Sequence, residues 1–79
     1  MDKDYLLFNL AEAKEAIEKL IENINKDSEY DVAEYRVEMQ HIYWHMNSAW
    51  NGKDFDVKRD QLTDELYEKF IQYPKDLEL

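Results

Sequence analysis

Residues 30 to 51, YDVAEYRVEMQHIYWHMNSAWN, contain no Gly and no Pro. They gather both Trp, both His, three of the six Tyr and two of the three Met of the chain. A run of this length without a breaker predicts one long helix. At about 100° per residue, its residues sort into four bands. Val32, Tyr35, Met39, Ile42, Met46 and Ala49 form one apolar stripe, with Tyr43 and Trp50 at its edge. Tyr30, Ala33, Val37 and Trp44 form a second. Arg36, Gln40 and Asn47 make a narrow polar line between them, and Glu34, Glu38, His41, His45 and Ser48 an ionisable one. A surface helix of a small protein needs a single apolar stripe. Two of them make this the central helix and predict contact with more than one neighbour.

The remaining chain supplies two further helices. Leu6, Leu10, Ala13, Ile17, Leu20 and Ile24 recur at spacings of 4 and 3, predicting a helix over about residues 4–25. Ser28 with Asp31 three positions on reads as the cap of the central helix, about 29–50. Asn51-Gly52 reads as its stop, with Gly52 suited to a left-handed position. Asp54 or Asp56 caps a third helix over about 56–73, with Leu62, Leu66, Phe70 and Tyr73 as its core stripe, Arg59 in line with them, and Pro74 beyond its end. Residues 74–79 read as a frayed tail. Short joints favour antiparallel neighbours. The expected fold is all-α: one domain over residues 1–79, a three-helix up-down-up antiparallel bundle with the second helix central.

Seventy-nine residues lie near the lower limit for a self-sufficient core. There is no Cys, which removes disulfides and thiolate metal sites as supports and fits an intracellular, cytoplasmic setting. A metal held without Cys, self-association or very regular helix packing remain as supports, and the leftover apolar surface favours self-association. Tyr30, Val37 and Trp44, with the off-stripe Tyr5 and Phe8 of the first helix, are the expected homodimer interface. The formal net charge of −9 has no basic patch inside it. That argues against direct nucleic-acid binding and against anionic membranes. The acidic N-terminal sequence resembles neither a signal peptide nor a membrane span.

Three groups of residues could carry chemistry. Glu38, His41 and His45 lie at i, i+3 and i+7 on one face, a spacing that lets side chains converge on a metal ion. The plain alternative is two histidines beside acidic neighbours. Arg36, Gln40, Tyr43 and Asn47 form a ridge that is either an interhelical hydrogen-bond network or the wall of a small-ligand pocket. Trp50 and Asn51 extend that candidate ligand site, or else bind carbonyls of the next joint and clamp the third helix. No nucleophile motif or phosphate loop is present, and no cofactor is called for, so the chain reads as non-enzymatic. The expected function is a small acidic interaction protein that self-associates and docks onto a protein partner, as inhibitors, antitoxins and immunity-like adaptors do. The alternative is a ligand- or metal-binding bundle that uses the polar stripes of the central helix.

Overall fold

The computed structural model describes residues 1–77; residues 78–79, the end of the expected tail, lie outside the described residues. Among the described residues the chain is all-helical, with α1 (Lys3–Lys26), α2 (Val32–Asn51), a single 3-10 turn (Arg59–Gln61), α3 (Asp64–Phe70) and no strand. α1 packs along α2, and α3 packs on α2. Tyr5 meets Gly52, Asn9 meets His45 and Asn23 meets Glu38, so α1 and α2 run antiparallel.

Each helix begins where a side chain can satisfy its free N–H groups. Asp2 accepts from the Tyr5 N–H at 2.9 Å. Lys58 Nζ donates to the other oxygen of Asp2 at 3.3 Å, which ties the loop after α2 to the start of α1. The Tyr5 hydrogen bond, and after it Lys58, holds the Asp2 carboxyl below its usual range. Asp31, not Ser28, caps α2 by accepting from the Glu34 N–H at 3.0 Å. The preceding residues are spent on a turn in which Asp27 accepts from the Glu29 N–H. Gly52 closes α2 at φ −82°, in the right-handed region, so its left-handed use is corrected. The position requires Gly for a different reason. A Cβ there would stand 2.8 Å from the Tyr5 ring and 2.9 Å from the Ser48 carbonyl oxygen.

The third helix is much shorter than its stripe suggested. Residues 53–63 instead fold back, so that Phe55 reaches Phe70 at 5.1 Å between ring centroids. Helix resumes only after Thr63, whose hydroxyl accepts from the Leu66 N–H and is followed by Asp64 and Glu65 at the positive end of the dipole. It stops at Phe70 because Pro74 has no N–H to offer the Phe70 carbonyl. Asn51 supplies the missing donor at 2.8 Å and also donates to the Gln72 carbonyl, while Asn47 donates to that of Ile71 at 2.9 Å. Within the expected tail, Asp76 meets side chains at and just after the end of α2. Trp50 Nε1 donates to Asp76 at 3.0 Å, and Lys53 lies 3.6 Å from the same carboxylate. The Arg59 guanidinium lies over the Phe8 ring at 3.6 Å.

The core sits at the end of the hairpin where all three helices meet. Phe70 is 1 % exposed and faces Tyr5 and Phe55. Farther up, α1 and α2 have only each other. Ala13 and Leu20 are buried there, but Leu10, Ile17 and Ile24 of the same stripe remain 46, 40 and 47 % exposed. The radius of gyration is 14.2 Å, against about 12 Å for a compact domain of this length. A hairpin of two long rods with a short helix at one end accounts for the difference.

Candidate functional site

The two sides of the α1–α2 hairpin differ. On one side an open groove of about 650 Å³ is lined by Ala16, Val37 and Trp44, with Glu12, Glu15 and His41 among the polar residues around them. These α1 residues flank the buried line of Ala13 and Leu20 on one side. Leu10, Ile17, Ile21 and Ile24 flank it on the other. On α2, Val37 and Trp44 likewise lie across the buried Ile42 from Val32, Tyr35, Met39 and Met46. The second side therefore joins the exposed apolar residues of both helices in one face. No carboxylate interrupts it, and the basic residues Lys14 and Arg36 stand at its rims.

α3 lies on the groove side. A cavity of about 190 Å³ at the three-helix junction is lined by Phe8, Trp44 and His41 together with Leu62, Tyr67 and Ile71. His41 and Trp44 border both the cavity and the groove, so the groove continues the seat that α3 occupies.

The expected interface residues are therefore largely used within the chain. Tyr5 is buried against Phe70. Phe8 is covered by Arg59 and meets the His45 ring edge-on. Trp44 packs edge-on against His41 beside α3. The Tyr30 hydroxyl donates to Glu38 at 3.2 Å, and burial followed by that carboxylate pushes its phenol to about 12. Only Val37, 68 % exposed, presents most of its side chain to solvent. The apolar face that does lie open belongs to the α1 stripe and the first stripe of α2.

Of the three candidate metal ligands, Glu38 and His45 are each hydrogen-bonded to other side chains. Glu38 accepts from Asn23 Nδ2 through both oxygens, at 3.3 and 3.2 Å, as well as from Tyr30. His41 and His45 meet edge-on with ring centroids 4.8 Å apart. Asn9 Nδ2 donates to the Tyr5 carbonyl at 3.1 Å, which leaves its Oδ1 as an acceptor. His45 Nδ1–H therefore donates to Asn9 at 2.9 Å. Among the described residues no group of three His, Cys, Asp or Glu side chains is arranged to hold a metal ion. Of the ligand ridge, Arg36, Gln40 and Tyr43 line a shallow outer face with Tyr73, whose ring meets Tyr43 at 5.6 Å. Asn47, Asn51 and Trp50 are committed to the chain after α3.

Burial, and then the neighbouring His41, lowers the His45 pKa, against a smaller opposing effect of Glu12. A folded-state pKa below the unfolded value of 6.5 gives stability that is complete above 6.5 and is lost as pH falls through the folded pKa. Urea unfolding from pH 7.5 down to 5 should show the native protein losing more stability than His45→Gln. Parallel pH profiles for the two proteins would contradict this assignment.

No protein-family model, curated protein or solved structure matches the chain. Among the described residues no helix is long and apolar enough to cross a membrane.

Proposed function

We propose that the chain is a non-enzymatic interaction module that pairs with a second copy through its open apolar face and docks onto another protein with the groove side. The carrying observation is the face made by the exposed Leu10, Ile17, Ile21, Ile24, Val32, Tyr35 and Met46, with Met39 half-buried among them. A helical hairpin that leaves both its stripes half-exposed on one side has the form of half a four-helix bundle. From Leu10 to Ile24 the face runs about 21 Å along two adjacent helices. A two-fold pairing would bring identical charge-free surfaces together, with Lys14 and Arg36 outside them. The non-enzymatic reading is supported by the hydrogen bonds of Glu38 and His45, which join α1 to α2. Docking in the manner of an inhibitor or adaptor is supported by the acidic residues on the groove side.

Sedimentation equilibrium tests the pairing. The native chain should show twice its sequence mass. Ile17→Glu places two carboxylates in the apolar centre of a symmetric pair and should weaken association by at least about a hundredfold. Trp44→Ala, on the other side of the hairpin, should leave the mass unchanged. A native monomer, or an Ile17→Glu dimer as tight as the native one, would sink the reading.

A further inference from the structure

We infer that the groove between α1 and α2, above α3, is the seat of a basic amphipathic helix from a partner protein. The inference rests on the reading of the chain as an interaction module and names the partner's chemistry. The shape of the groove supports a helical occupant. α3 sits at its lower end, against Trp44 and His41, and the groove continues beyond these residues without a covering element. The free part extends from Glu12 to Asn23 on α1, about 16 Å along the axis, or about three turns of a docked helix. Ala16, Val37 and Trp44 give it an apolar floor, and the small Ala16 side chain leaves room for a close approach.

Charge specifies the rest. Glu12, Glu15 and Glu38 border this floor against the single lysine Lys19. Asn23 and Tyr30 hold the Glu38 carboxylate in place. Just beyond it, burial and the carboxylates of Asp31, Asp27 and Glu38 raise the pKa of Glu34, a sign of negative potential at this end. An apolar stripe flanked by Lys or Arg complements such a floor and rim. The opposite face of the hairpin has no carboxylate to attract one.

The test uses the full chain and three synthetic fourteen-residue peptides: an amphipathic Leu/Lys helix, its Leu/Glu counterpart, and a Lys/Ser peptide of equal positive charge with no apolar face. Titration calorimetry should show the Leu/Lys peptide binding at least tenfold more tightly than the other two, and less tightly as salt rises. Glu12→Gln with Glu15→Gln should weaken it several-fold, as should Val37→Asn. Asp64→Asn with Glu68→Gln, on the exposed side of α3, should not. Equal binding of the Lys/Ser peptide, or equal loss from the α3 variant, would reduce the effect to net charge and overturn the inference. If Val37→Asn abolishes self-association while Ile17→Glu does not, the groove's occupant is a second copy and the inference fails. If Ile17→Glu is monomeric and still binds the Leu/Lys peptide, the groove stands independently of pairing. If the native chain is monomeric and binds the peptide, the pairing reading fails alone.

Discussion

Phe70→Ala should cost about 3–5 kcal/mol and release α3 from the hairpin. Among the described residues Phe70, 1 % exposed, is the most completely buried large side chain, and Tyr5 and Phe55 both pack on its ring. α3 is only seven residues long, too short to persist without tertiary contacts. Loss of the anchor should also expose the carbonyls of residues 70–72, freeing Asn47 and Asn51 on α2. α1 and α2 should stay paired through Ala13, Leu20 and Ile42. Hydrogen exchange should therefore show lost protection at Leu66, Tyr67 and Ile71 while the middle of α1 stays protected. Uniform loss across the chain would mean that α3 and the hairpin form a single cooperative unit. Phe70→Leu keeps most of the volume and should cost much less.

Gly52→Ala should destabilise the fold by about 1–3 kcal/mol. Its backbone is right-handed, where alanine is ordinarily the better residue. The penalty comes from crowding: the new methyl would meet both the Tyr5 ring and the Ser48 carbonyl oxygen that accepts the Gly52 N–H. Moving Tyr5 disturbs its contact with Phe70, so the strain reaches the three-helix junction. Urea denaturation of Gly52→Ala, Tyr5→Leu and the double variant forms the appropriate cycle. The double variant should lose less than the sum of the singles, because removing the ring removes one of the two clashes. Strict additivity would place the cost at Ser48 alone, and a stabilised Gly52→Ala would refute the crowding.

Several features of the fold are local and could be read directly. Helix formers without Gly or Pro made the first two helices legible, and Asn51-Gly52 marked the end of the second to within a residue. Capping was less so, because Ser28 and Asp31 both offer an oxygen and the choice depended on how the turn at Asp27 spends its own hydrogen bonds. The third helix was over-read for a related reason. Its stripe of Leu62, Leu66, Phe70 and Tyr73 ignored that Phe55 must turn back to reach Phe70, and that Asn47 and Asn51 sit ready to take carbonyls from a helix that Pro74 cuts short.

The candidate site divides in the same way. Periodicity placed Val37 and Trp44 on one stripe of α2, and Tyr35, Met39 and Met46 on another, because angular position around a helix follows from sequence spacing alone. It left open which stripe would face α3. That choice was made by contacts between residues far apart in the chain: Tyr67 and Ile71 beside Trp44, Arg59 on Phe8, and two α2 amides on the carbonyls after α3. The sequence by itself determined the helices and the faces they own. Only the tertiary structure decided which face stayed open, because a short third helix can cover one side of the hairpin and not both.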